Sequence, residues 1–125
     1  MINEAEKRQC VLVVDDQPKV LRFVEVGLKL RGFKVITTTS GEEALELVKS
    51  AKPDIMLLDI IMPGIDGFEV LKELRTFTKL PVIAFSASPG NQDEALRLGA
   101  NDFMHKPFDP DDMVRKIKAL LQPKD

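Results

Sequence analysis

Three aspartates, a serine and a lysine stand where short apolar runs of this chain stop. The run CVLVV at 10–14 ends in Asp15 and Asp16, IMLL at 55–58 ends in Asp59, and PVIAF at 81–85 ends in Ser86. A fourth segment, 101–104, leads into His105 and Lys106. If these runs are neighbouring strands, their ends share one rim. Converging carboxylates repel: at about 4 Å and an effective dielectric of about 20, each like-charged pair costs about 4 kcal/mol. Such a cluster must hold a proton or bind a cation. A few hard oxygen ligands suit Mg²⁺, which keeps several waters and is completed by a phosphate. With three aspartates, one Mg²⁺ and Lys106 the charges sum to zero, so a phosphoryl group could approach. A carboxylate beside such an ion can act as a nucleophile and form an acyl phosphate. Asp59 is the candidate nucleophile because it stands alone on the central strand, and Asp15 and Asp16 are the candidate metal-holding pair. Lys106 would meet one phosphoryl oxygen as a point charge, and the Ser86 hydroxyl would donate to another.

The elements that must position these groups follow from punctuation and periodicity. Strands are expected at 10–14, 33–37, 54–58, 80–85 and 101–104. Asp59 is expected to emerge at the sheet edge, because burying an unpaired charge there would cost too much. Between the strands lie helical patterns. Pro18 suits a first helical turn, and Val20, Leu21, Val24, Leu28 and Leu30 read as an inward stripe closed by Gly32. Ser40 and Glu43 form a capping box ahead of Ala44, Leu45, Leu47 and Val48. Asp66 caps a helix carrying Phe68, Val70, Leu71 and Leu74. A helix is expected at about 91–98, ended by Gly99. Asp109 and Pro110 open the last one, with Met113, Val114, Ile117, Leu120 and Leu121 inward. Strand and helix alternate five times, and the strands are continuous apolar runs. That is the pattern of an α/β fold whose parallel sheet is covered on both faces.

Composition narrows the function classes. The chain has 125 residues, 44% hydrophobic and 30% charged, enough for one domain with a real core. Eighteen basic against twenty acidic residues give a net charge of −2, which argues against direct nucleic-acid binding. The single cysteine, Cys10, cannot form an internal disulfide, and a reducing cytoplasm is the expected setting. No apolar stretch approaches the roughly 18 residues of a membrane span, so no membrane role is expected. The domain is read as 10–122, after a flexible lead-in at 1–9 and before a short tail at 123–125.

Four segments, VLVVDDQP, DIMLLDIIMPGIDGFEVL, PVIAFSAS and GANDFMHKPF, occur in order at matching strand ends. Together they resemble the receiver domain of two-component response regulators, over 10–121. The resemblance implies a flavodoxin-like (βα)5 fold with strand order 2-1-3-4-5, an order for which this family is a standard example. It implies that Asp59 is the phosphoacceptor, that Asp16 binds Mg²⁺ directly and Asp15 through water, and that the Ile61 carbonyl is a further metal ligand. Ser86 and Phe103 match the switch pair, Lys106 the lysine of the site, and Lys106–Pro107 a peptide bond that is usually cis. The implied donor is a phosphohistidine on a histidine kinase or histidine phosphotransfer protein. An output partner or a homodimer is expected to use the face of the fourth helix, fifth strand and fifth helix. Two departures stand out. Phe103 lacks the hydroxyl of a tyrosine. Ile61, two residues past Asp59, is apolar where some fast-hydrolysing members are polar, which predicts slow loss of the phosphate.

Each group also has an ordinary role. Asp15 and Asp16 could cap the first helix, Asp59 could be a solvated strand end, Ser86 a turn hydroxyl, Lys106 a surface lysine and Phe103 plain core. His105, the only histidine, reads as solvated. Two other functions fit parts of the pattern. A Mg²⁺-dependent aspartyl-phosphate phosphohydrolase would want a carboxylate at position 61 and a capping insertion. A receiver-like module working without phosphorylation would not need the site intact.

Overall fold

The computed structural model describes residues 8–88, 90–107 and 109–122. Residues 1–7 of the lead-in, the tail at 123–125 and Phe108 of the fourth motif lie outside the described residues. Five strands, β1 (Cys10–Val14), β2 (Lys34–Thr38), β3 (Ile55–Asp59), β4 (Val82–Ser86) and β5 (Asp102–His105), form one parallel sheet. Its order is β2-β1-β3-β4-β5, as expected. Four helices connect them in turn, α1 (Pro18–Leu30), α2 (Gly41–Ala51), α3 (Gly67–Leu74) and α4 (Asn91–Arg97), and α5 (Pro110–Leu121) follows β5.

Alternation along the strands divides the core in two. Leu12, Val14, Met56, Leu58, Val82 and Ala84 face α2, α3 and α4 through Ala44, Val48, Val70, Leu74 and Ala95. Val11, Val13, Ile55, Leu57, Ile83 and Phe85 face α1 and α5 through Leu21, Val24, Leu28, Met113 and Ile117. All five residues of β3 and of β4 are buried, which is why these strands read as unbroken apolar runs.

The caps are those the sequence signals. Glu43 N–H donates to Ser40 Oγ, Glu69 N–H to Asp66 Oδ1 and Asp111 N–H to Asp109 Oδ1. The capping box at Ser40 is only half formed, because the Glu43 carboxylate takes the Thr38 hydroxyl instead of the Ser40 amide.

Leu30 is a correction. It is 79% exposed and is not part of the inward stripe, which is Leu21, Val24 and Leu28. Two residues beyond Leu28 is the opposite side of a helix, so Leu30 could not share that face. Strand limits also move by about one residue. Asp54 precedes β3, and its carboxylate accepts the Cys10 N–H at 2.7 Å, pinning the starts of β1 and β3 together.

Candidate functional site

Register brings the carboxylates together. Val13 pairs with Leu57 and Val14 with Leu58, so Asp15 and Asp59 are the next neighbours in phase at the ends of adjacent strands. Strands lie about 4.8 Å apart, and side chains in phase project from the same face. The backbone ladder runs one residue past the strands. Asp15 N–H donates to Thr38 O, Ile60 N–H to Phe85 O and Lys106 N–H to Ser86 O. The backbone at each site residue is therefore held by the sheet and not by a free loop.

Asp15, Asp16 and Asp59 each offer a carboxylate oxygen, and those oxygens lie within 4.8 Å of one another. Asp15 is fully buried and Asp59 is 3% exposed. The expectation that Asp59 emerges from the core is overturned, because its charge is not unpaired. Lys106 Nζ donates to Asp59 Oδ2 at 3.4 Å, and Ile61 N–H donates to Asp59 Oδ1 at 3.2 Å. Lys106 Nζ also lies 2.9 Å from Asp15 Oδ2 and 5.3 Å from the centre of the Phe85 ring. Asp15 Oδ1 also accepts the Gln17 N–H at 2.8 Å, just ahead of α1, whose N-cap residue Gln17 has no side-chain cap hydrogen bond. The helix-capping alternative for Asp15 is therefore not what this side chain does: it ties the β1–α1 turn while lying in the acidic cluster.

Electrostatics follow from burial. Desolvation is the largest influence on Asp59, and together with the charge of Asp15 it outweighs Lys106 and the Ile61 amide. Its carboxyl is pushed up to about 6. Burial also opposes the charge on Lys106, but the carboxylates of Asp15 and Asp59 outweigh it and hold the ammonium above its usual range. Two carboxylates thus share one cation.

The residues fit a divalent cation. Asp15 Oδ2 is buried, and although Lys106 is at ion-pair distance it receives no directed hydrogen bond. Asp16 is half-buried, and among the described residues its carboxylate has no hydrogen-bond partner. A cluster of three anions with one cation and oxygen atoms to spare is a donor set for a hard metal ion.

The other expected residues are placed as follows. Ser86 is fully buried, and its Oγ accepts the Ser88 N–H at 3.0 Å and the Asn91 Nδ2–H at 2.9 Å. Phe103 is 5% exposed, lies inward against the α2–α3–α4 side and meets His105 edge to face at 5.1 Å. The Ile61 side chain is 53% exposed at the mouth of the site. Lys106–Pro107 is cis.

Sequence reasoning missed two residues. Gly67 packs against the strand end, where a Cβ would lie 2.5 Å from both Asp59 O and Ile60 Cα. Its N–H donates to Ile60 O at 2.9 Å. Read from the sequence, it was only the glycine after a cap. Asn91 was read only as the start of a helix, and nothing in its spacing signalled a contact with Ser86.

A family profile described as the response regulator receiver domain matches residues 11–118. The chain is 38% identical over 115 residues to the alkaline phosphatase synthesis transcriptional regulatory protein PhoP of Bacillus subtilis, covering 90% of this chain and 48% of that protein. It is 38% identical over 114 residues to the transcriptional regulatory protein KdpE of Mycobacterium tuberculosis, covering 90% and 50%. The chain therefore spans about half the length of these curated relatives. Among solved structures, the Francisella response regulator 1452 receiver domain superposes with a TM-score of 0.86 at 33% identity, covering 91% of this chain and 97% of that one. The BeF3-activated receiver domain of Klebsiella pneumoniae RstA gives 0.87 at 27% identity, covering 92% and 100%. With the fold, the strand-end carboxylates and these matches in agreement, the chain belongs to the response regulator receiver domain family of two-component signalling.

Proposed function

We propose that this domain is a phosphorylation switch whose phosphoacceptor is Asp59, with a phosphohistidine as donor and Mg²⁺ as the required ion. The observation that carries the reading is the Asp59 carboxylate, held in a buried pocket by Lys106 and the Ile61 amide and flanked by two further aspartates. Above about pH 6 Asp59 is ionised and can attack. One of its oxygens bonds to phosphorus as the P–N bond of the donor breaks, and the leaving imidazole nitrogen takes up a proton. Asp15, Asp16 and Asp59, with the Ile61 carbonyl, would hold Mg²⁺, whose chemistry is to neutralise charge on the phosphoryl oxygens. Lys106 reaches a phosphoryl oxygen from the side of Asp15, and the Ser86 hydroxyl donates to another.

The half-exposed Ile61 side chain at the mouth of the site hinders an in-line water, which favours a long-lived phosphate. Phosphorylation then biases a two-state equilibrium at the end of the sheet, where Ser86, Phe103 and the α4–β5–α5 face meet. That face would meet an output partner or a second copy. It carries the exposed Leu96 and the Asp102–Lys116 ion pair. Phosphoramidate, a small P–N donor, tests the reading. The chain should gain one phosphoryl group with Mg²⁺ present and none with EDTA. Equal labelling in both would overturn the Mg²⁺ requirement, and steady turnover of a generic phosphomonoester would favour a hydrolase instead.

A further inference from the structure

Ser86 and Asp59 sit on opposite phases of neighbouring strands. Asp59 continues the Ile55–Leu57 phase and is in register with Phe85, on the α1–α5 side of the sheet. Ser86 continues the Val82–Ala84 phase, on the side of α4. Its hydroxyl oxygen has two acceptor positions, and both are taken, one by the Ser88 amide and one by the Asn91 side chain. Among the described residues, no hydrogen bond links this hydroxyl to Asp59 or to Lys106. The hydroxyl oxygen is thus buried, filled at both acceptor positions and tied to the start of α4.

We propose that Asn91 is a positioning residue for the Asp59 site: its amide holds the Ser86 hydroxyl on the α4 side, and that bond must break before Ser86 can donate to a phosphoryl group on Asp59. The inference rests on Asp59 being the phosphoacceptor and adds the element that sets the resting bias. The Asn91 bond uses a lone pair of Ser86 Oγ and the phosphoryl bond would use its proton, so the two compete through the side of the sheet end on which the hydroxyl is held. The ligand can shift the equilibrium only by the difference between these two arrangements. Asn91 is the first residue of α4, so loss of this bond frees the helix start in the same step. The signal then reaches α4 through a hydrogen bond, with Phe103 already packed inward.

The bond's two ends predict opposite effects for two substitutions. Asn91→Ala removes the competing donor. Asn91→Asp replaces it with an acceptor that takes the only Ser86 proton, the one a phosphoryl oxygen needs. The test is a titration of the intact chain with beryllofluoride at saturating Mg²⁺, followed by amide NMR or calorimetry. A competing hydrogen bond of ordinary strength predicts about fivefold tighter binding for Asn91→Ala. It predicts weaker binding by a similar factor for Asn91→Asp. In a Ser86→Ala background both differences should vanish, a result that a merely structural role for Asn91 would not produce. Unchanged or weaker binding by Asn91→Ala, with normal binding by the unsubstituted chain, overturns the role of Asn91 alone. Failure of the unsubstituted chain to bind, or equal binding by Asp59→Asn, overturns the phosphoacceptor reading and this inference with it.

Discussion

Lys106 Nζ lies 3.4 Å from Asp59 Oδ2 and bridges to Asp15 Oδ2 at 2.9 Å, so the tip of the sheet holds one cation between two buried carboxylates. Most of the behaviour expected of this domain follows from that imbalance.

Replacing Asp59 by Asn should stabilise the metal-free chain at neutral pH. In the folded state Asp59 keeps its proton up to about pH 6, whereas in the unfolded chain it loses it near 3.9. Between those values the folded state binds more protons, so stability falls as pH rises through the window. The asparagine removes this slope. Urea denaturation in EDTA should find the variant more stable by about 1–3 kcal/mol at pH 8 and about equal to the parent at pH 4. A variant less stable at pH 8 would contradict the assignment of Asp59 as an electrostatic burden.

Lys106→Met should do the reverse. It leaves Asp15 and Asp59 buried without their cation, and breaking such a pair costs about 3–5 kcal/mol. The loss should be largest at pH 8 and should shrink toward pH 5, where Asp59 takes up a proton. Thermal melts at the two pH values check this, and an equal loss at both would mean that the lysine contributes packing instead of charge.

Gly67→Ala places a methyl group where the backbone of Asp59 and Ile60 already stands. Overpacking of this kind costs about 1–3 kcal/mol, and relief of the clash must displace the strand end. Both denaturant stability and Mg²⁺ affinity should fall. A loss of stability with unaltered Mg²⁺ affinity would show that the β3–α3 loop gives way without moving the site.

Ile61→Asn exchanges an apolar side chain at the mouth of the site for one that can orient water. The aspartyl phosphate should then decay several-fold faster. Decay followed by intact mass in Mg²⁺ reads the rate. Unchanged decay, or loss within seconds from the parent chain without any partner, would remove Ile61 from control of the lifetime.

The fold was legible because each local signal agreed with the next. Unbroken apolar runs in β3 and β4 marked a sheet covered on both faces, and Ser40, Asp66 and Asp109 marked helix starts that are capped by those side chains. The candidate site was legible for the same reason, since Asp59 and Ser86 end β3 and β4 and Asp15 and Lys106 follow directly on β1 and β5. What stayed hidden depends on distance across the fold. The burial of Asp59 needs Lys106, 47 residues away, to neutralise it. Leu30 is the exception, because its outward position two residues past Leu28 follows from helical periodicity alone. The demand on Gly67 comes from backbone atoms of another element, and the bond from Asn91 to Ser86 depends on where α4 begins relative to β4. Such contacts leave no periodic trace.

The central claim is that Asp59 accepts the phosphoryl group, and intact-mass measurement after incubation with acetyl phosphate and Mg²⁺ tests it most directly. The account predicts a gain of one phosphoryl group on the parent chain and none on Asp59→Asn. A gain that persists in Asp59→Asn would contradict it.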